Sequence, residues 1–152
     1  MIPPVFVDSV RFFHVLGMAT WLAASLWLAS DAKAALALGP DAVRSFVRRG
    51  RLAVRIDQAA AVFTILTGIC LIHFSNTWPN LRHGLWLGIV LAVVRAGLVG
   101  ALVSPSLRRM GAGLEAGQPP AALQPLAAKL ALGSRLGQVA WVGALAGMLF
   151  RS

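Results

Sequence analysis

Long apolar stretches dominate this chain, and shorter segments rich in charged residues, glycine and proline separate them. Four of these stretches approach the roughly 20 helical residues that cross a hydrocarbon core of about 30 Å. The predicted spans are Val10–Ala29, Ile56–Phe74, Leu85–Val103 and Ala131–Phe150. The pattern therefore predicts an all-α integral membrane protein, in which a four-helix transmembrane bundle forms a single domain over residues 1–152.

Composition supports the membrane assignment. Hydrophobic residues make up 58% of the chain and charged residues only 12%, which is far from the usual composition of a soluble domain. A net charge of +9 would suggest a nucleic-acid partner in a soluble protein. Here the charges cluster in particular loops, so we expect the lipid bilayer, and no nucleic acid, as the partner.

The basic loops predict the topology. Basic residues concentrate between the first and second spans, and between or just inside the third and fourth spans: Lys33, Arg44, Arg48, Arg49, Arg51, Arg55, Arg108, Arg109, Lys129 and Arg135. Cytoplasmic loops of membrane proteins are enriched in lysine and arginine, so both termini are predicted to lie outside. The first residues contain no basic signal-type region, so we expect the first span to be retained in a multi-pass protein of a bacterial-type inner membrane.

The segment between the first two spans should be helical as well. Asp8 or Ser9 is expected to cap the first helix, which should continue to about Leu38. Residues 40–55 are then predicted to form a short basic amphipathic helix on the membrane surface. Its apolar face, which should contact lipid headgroups, consists of Val43, Phe46 and Val47.

Glycine and proline organise the second half of the chain. Residues 104–118 contain a proline and three glycines, which predicts a mobile inner loop. Pro125 predicts a kink or a restart near the beginning of the last helix. Small residues at four-residue spacing predict close contact between helices, and they occur as Gly84 with Gly88 and as Gly143 with Gly147.

Two helical stripes carry residue types that ligate metals or haem. In the first span, His14, Met18 and Trp21 lie on one helix face, and in the second span Cys70 and His73 share a face. At about 1.5 Å per residue, His14 and His73 are predicted to differ in depth by only a few ångström, so they could share a ligand near the outer surface. Histidine, methionine and thiolate are ligands of haem iron and of copper.

Simpler roles stay open for most of these residues. Histidines at the membrane interface are common, which accounts equally well for His73 and His83. Met18 and Cys70 can be packing residues, since both side chains are ordinary fillers of apolar space. His14 differs, because it lies inside an apolar helix, where a polar side chain needs a partner.

Arg95 is an ionisable group near the middle or inner half of the third predicted span. Burial of its guanidinium is costly without a counter-charge, which Asp57 or a haem propionate would supply. Snorkelling of Arg95 toward the inner headgroups is an equally open alternative. Gln138 is expected to form a hydrogen bond between helices. The motifs of metalloproteases, phosphate-binding loops and nucleophile elbows do not occur, so hydrolase and ATPase functions are unsupported.

The first two spans resemble those of a known family. The run from His14 through Leu28, in which Trp21 follows His14 by seven residues, is similar to the opening helix of the HemJ-type protoporphyrinogen oxidases and the related CopD-like copper-resistance membrane proteins. The run from Arg51 through Gly68 resembles the second HemJ helix, so the resemblance covers about half of the chain. It implies that His14 binds haem b. The family's essential lysine has no counterpart in Gly84–Gly88, which leaves enzymatic activity uncertain.

We therefore expect a haem-b-binding membrane protein with a redox or accessory role. His14 would be the axial ligand, His73 or Met18 the second ligand, and Arg95 a residue of the cofactor site. In an alternative, His14, His73, Met18 and Cys70 form an outer-facing site for copper handling or transport. In a further alternative, the chain is a structural subunit of a homo-oligomer or of a larger membrane complex.

Overall fold

The computed structural model describes residues 3–75 and 83–149, and all regular structure in these ranges is helical. In chain order the helices are α1 (Pro4–Ala23), α2 (Leu28–Leu38), α3 (Pro40–Phe74), α4 (His83–Leu98), α5 (Ser104–Glu115) and α6 (Gln124–Leu149). A π-helical turn, Val99–Val103, joins α4 to α5, and a 3₁₀ turn, Pro120–Leu123, precedes α6. The all-α prediction is confirmed for these residues. Phe150, at the end of the fourth predicted span, lies outside them.

Three stretches are long and apolar enough to cross a membrane: Pro4–Leu38, Pro40–Phe74 and His83–Glu115. At about 1.5 Å per residue each is about 50 Å long, so each extends well beyond a hydrocarbon core of about 30 Å. The first three predicted spans fall within them. The fourth predicted span lies in α6. That α6 crosses the membrane, and that both termini lie outside, stay predictions.

Glycines allow α4 and α6 to pack closely. A Cβ atom on Gly147 would lie 2.7 Å from the Gly84 carbonyl oxygen, and one on Gly88 would lie 3.2 Å from the Ala144 carbonyl oxygen. The predicted close approach at these glycines is therefore confirmed. In contrast, α3 and α4 make few contacts, while α1 packs mainly along α3.

The half of the bundle that carries the basic residues contains the larger core. Buried apolar residues of α2, the first half of α3, the π-helical turn, α5 and the beginning of α6 form one continuous cluster. The other half exposes many large apolar side chains, among them Phe12, Val62, Trp86 and Val139. Exposed apolar surface of this extent is expected where the helices face lipid tails.

The predicted surface helix over residues 40–55 is wrong. These residues are the first half of α3, a continuous helix of 35 residues. Val43 and Phe46 are 0% exposed, and they pack with Val47 into the core between α2 and α5 instead of contacting headgroups. The physical reason is that α2 and α5 both pack against the first half of α3, so its apolar face has protein partners.

Two further local predictions are corrected. Residues 104–115 of the predicted mobile loop form helix α5, which buries Met110 completely. The first helix begins at Pro4, ahead of the predicted cap at Asp8 or Ser9, because proline is well suited to the first helical position. The predicted restart near Pro125 is confirmed, since α6 begins after the 3₁₀ turn.

The Gly147 contact provides a test of the packing. Gly147→Ala should lower the free energy of unfolding by about 1–3 kcal/mol, because the added Cβ meets backbone that cannot rotate away. Gly97→Ala is the matched control, since a Cβ there meets nothing within 4 Å. Unfolding of both variants in mixed detergent micelles measures the difference. Equal stability of the two would contradict the close α4–α6 contact.

Candidate functional site

The first transmembrane stretch is broken between α1 and α2. Residues 24–27 form turns in which the Ser25 amide bonds to the Leu22 carbonyl at 3.3 Å and the Leu26 amide to the Ala23 carbonyl at 3.4 Å. In a regular helix the Ser25 amide would bond to the Trp21 carbonyl. The break therefore frees that carbonyl in the middle of the stretch, and the prediction of one continuous helix to Leu38 is wrong.

A buried ion pair lies beside the break. Arg95 and Asp57 are each 1% exposed, and Arg95 Nη2 lies 2.8 Å from Asp57 Oδ1. The same nitrogen donates to the Trp21 carbonyl at 2.6 Å and contacts Ser25 Oγ at 3.0 Å. The guanidinium carbon is 4.7 Å from the centroid of the Trp21 ring, which is cation–π distance.

Hydrogen bonds from other helices complete this cluster. Trp21 Nε1 donates to Asp57 Oδ2 at 3.1 Å. The Ser25 carbonyl accepts from Ser134 Oγ at 3.1 Å and from Gln138 Nε2 at 3.3 Å, which confirms the interhelical role predicted for Gln138. We call these residues the central polar cluster: Trp21, Ser25, Asp57, Arg95, Ser134 and Gln138. The cluster connects α1, α3, α4 and α6.

This geometry decides between the alternatives for Arg95. Asp57 is its counter-charge, and its full burial rules out snorkelling to the headgroups. Arg95 also does not line the cavity described next, so its predicted role as a cofactor-binding residue gains no support. The simplest role of the pair is structural, because a buried charge is tolerated in a membrane when it is paired and hydrogen-bonded, here through Nη2.

A cavity of about 740 Å³ opens between α3 and α4, where these helices diverge. Its wall is mostly apolar and includes Ile69, Ile72, Ile89 and Met148. His14 lies at its edge and is half-buried. Cavities of this size and character are typical sites for apolar ligands and cofactors.

The His14 ring is held by α3. Its Nδ1 lies 3.0 Å from the Thr64 carbonyl oxygen and 3.0 Å from Thr67 Oγ1. A carbonyl can only accept, so these partners assign the proton to Nδ1 and leave a lone pair on Nε2. Within the described residues Nε2 has no hydrogen-bond partner. Gly68 makes room for the ring, since a Cβ there would lie 3.2 Å from His14 Cε1.

The other predicted ligands do not join His14. Met18, Cys70 and His73 are absent from the cavity wall, and Cys70 and His73 are exposed. The prediction that His14 and His73 share a depth is wrong, because His14 contacts α3 at Thr64 and Thr67, and His73 lies about 9 Å further along that helix. Within residues 3–75 and 83–149, no three or more His, Cys, Asp or Glu side chains come together as a metal site.

The sequence carries a signal for several residues that contribute to the site. Thr64, Thr67 and Gly68 follow Asp57 by seven, ten and eleven residues, which places all four on one face of α3. Polar and small residues on one stripe of an apolar helix are typical of contacts with another helix. Met148 carries no such signal, because a methionine in an apolar run cannot be distinguished from an ordinary packing residue.

Comparisons with protein-family models, with curated proteins and with solved structures match nothing to this chain. The resemblance to HemJ-type and CopD-like proteins therefore stays an expectation.

The central ion pair should behave as a coupled unit. Arg95→Met or Asp57→Leu alone should cost about 3–5 kcal/mol of unfolding free energy, because each leaves one buried charge without its partner. The double variant should be more stable than either single variant. Arg44→Gln is the control, since Arg44 and Asp41 form an exposed pair worth less than about 1 kcal/mol. Unfolding titrations provide the double-mutant cycle, and purely additive losses would refute the coupling.

Proposed function

We propose that this protein binds haem b in the cavity between α3 and α4, with His14 Nε2 as axial ligand. One observation carries the proposal: the Nδ1–H of His14 faces the Thr64 carbonyl at 3.0 Å, while the ring lies at the edge of an apolar cavity. Metal-binding histidines usually donate their other ring N–H to a carbonyl or carboxylate, which fixes the ring and raises its basicity. His14 therefore has the tautomer and the support of an axial ligand.

The wall of the cavity fits a large apolar cofactor. The cavity has a volume of about 740 Å³ and a mostly apolar wall, and Gly68 leaves room for the His14 ring at its edge. Met148 contributes a thioether to the wall, which makes it a better candidate for a second ligand than Met18 or His73.

The residues of this chain would bind, orient and shield the cofactor. One-electron redox chemistry is what haem supplies when it is bound. The role that follows is electron transfer or an accessory function in the inner membrane. Protoporphyrinogen oxidation is not proposed, because Gly84 and its neighbours stand where the resembling family has its lysine.

Copper handling is the weaker alternative. It requires His14, Met18, Cys70 and His73 to converge on one ion, and of these four only His14 lines the cavity. A role as a structural subunit, in a homo-oligomer or a larger complex, would need no cofactor and would tolerate loss of His14.

His14→Ala tests the proposal. The full-length protein, purified from haem-replete membranes, should show a Soret band that His14→Ala lacks, with haem affinity reduced at least about tenfold. His73→Ala is the matched control, because it removes an exposed histidine from the same bundle and should keep the band. Absence of the band in the wild-type protein overturns the proposal. In that case, copper found by metal analysis would favour copper handling. The absence of both haem and copper would favour the structural role.

Thr67→Val tests the orientation of the ligand separately. It removes the hydroxyl from His14 Nδ1 and leaves the Thr64 carbonyl and Nε2 in place. The Soret band should persist, while haem affinity should fall by about tenfold, the lower end of the range for such outer partners. Haem titration by absorbance measures the affinity. An unchanged affinity would show that the hydroxyl does not orient the ring.

A further inference from the structure

A second groove, of about 790 Å³, lies between the first half of α3 and α5. Four arginines line it, and they are spaced by four, three and four residues on one stripe of α3: Arg44, Arg48, Arg51 and Arg55. All four are exposed. The opposite wall includes Gly111, Leu114 and Glu115 of α5. The groove thus combines a row of guanidinium groups with apolar surface.

Little in the groove neutralises these arginines. Arg44 pairs with Asp41 along the exposed surface of α3. Within the described residues, Arg48, Arg51 and Arg55 have no carboxylate within 4.0 Å. Glu115 is the only acidic residue in the groove wall among those residues. A positive-inside topology accounts for the number of arginines. It does not account for their convergence on one groove.

Gly111 makes room for the guanidinium group of Arg51. A Cβ atom there would lie 2.5 Å from Arg51 Nη2 and 3.5 Å from Arg51 Cζ. The guanidinium therefore packs against the backbone of α5, and a side chain at position 111 would displace it. Arg51 thus reaches across the groove to α5.

The predicted start of the second span puts the groove at headgroup depth. Arg55 immediately precedes the apolar span that begins at Ile56, and Arg51 lies about 6 Å further along the helix axis. Headgroup regions add about 5–7 Å on each side of the hydrocarbon core, so the predicted boundary places Arg55 within this layer and Arg51 at its outer edge. Leu52, between them, is 59% exposed. This leucine offers apolar contact to the glycerol and upper acyl region of a lipid.

We propose that the groove binds the phosphate group of an anionic phospholipid, with Arg51 and Arg55 as its headgroup ligands. Guanidinium matches phosphate oxygens in a bidentate geometry, which makes arginine the preferred residue for this contact. Arg44 and Arg48 extend the positive field away from the membrane and attract the headgroup. The proposal is independent of haem binding.

Native mass spectrometry of the full-length protein in detergent tests the proposal by measuring the binding of single lipids. The wild-type protein should bind phosphatidylglycerol at least about tenfold more tightly than phosphatidylcholine. Arg51→Gln with Arg55→Gln should weaken phosphatidylglycerol binding about 25-fold, at about fivefold for each arginine near the membrane surface. Gly111→Ala changes no charge, and it should weaken binding several-fold by displacing the Arg51 guanidinium.

Arg108→Gln with Arg109→Gln is the matched control. It removes the same charge from exposed positions of α5 that do not line the groove, and it should change lipid affinity less than twofold. Equal losses in the two double variants would overturn the proposal in favour of diffuse charge. Absence of a preference for phosphatidylglycerol would also overturn it. Complete displacement of the lipid by millimolar inorganic phosphate would identify the site as one for a soluble anion instead.

Discussion

A charged arginine inside a transmembrane bundle is tolerated only with a counter-charge and hydrogen-bond acceptors, and Arg95 obtains the charge from α3 and a backbone acceptor from the broken first stretch. Asp57 supplies the charge at 2.8 Å, and the Trp21 carbonyl, freed by the break, accepts at 2.6 Å. A straight helix would return that carbonyl to the Ser25 amide and leave the guanidinium one acceptor fewer. Conversely, the break leaves the Ser25 carbonyl to accept from Ser134 of α6. The ion pair and the break therefore stabilise each other, and neither is explained by local helix preference.

The central polar cluster divides the bundle into two parts with different packing. On the side that carries the basic residues, α2, α3, α5 and the beginning of α6 enclose a large apolar core. On the other side, α1 follows α3 and α4 follows α6, while α3 and α4 separate. The separation opens the cavity beside His14. The central polar cluster connects α1, α3, α4 and α6 at one level of the bundle. It therefore sets the spacing of the helices that line the cavity.

The sequence predicted features that depend on one residue and its chemistry. Asp57 was a candidate partner because Arg95 needed a counter-charge, and Gln138 was expected to bridge helices because an amide in an apolar helix needs a partner. The break between α1 and α2 could not be predicted, since residues 24–27 contain neither glycine nor proline and their hydrogen-bond partners are far away in the chain. Periodicity identified the apolar face around Phe46, but it cannot tell whether such a face meets lipid or protein. The prediction that His73 lies at the depth of His14 was wrong for a related reason. Helical rise does not determine how one helix is offset against another.

The position of His14 also depends on the ion pair, because both lie on the contact between α1 and α3. Between them, a Cβ on Gly17 would lie 2.8 Å from Thr64 Oγ1, so the helices are in near-backbone contact there. Below this contact, Trp21 is bonded to Asp57, and above it His14 is bonded to the Thr64 carbonyl. A slip of α1 along α3 by one residue, about 1.5 Å, would break both bonds at once. The buried charge pair therefore fixes the register in which the His14 ring meets its carbonyl partner, and this register is what leaves Nε2 without a partner at the edge of the cavity.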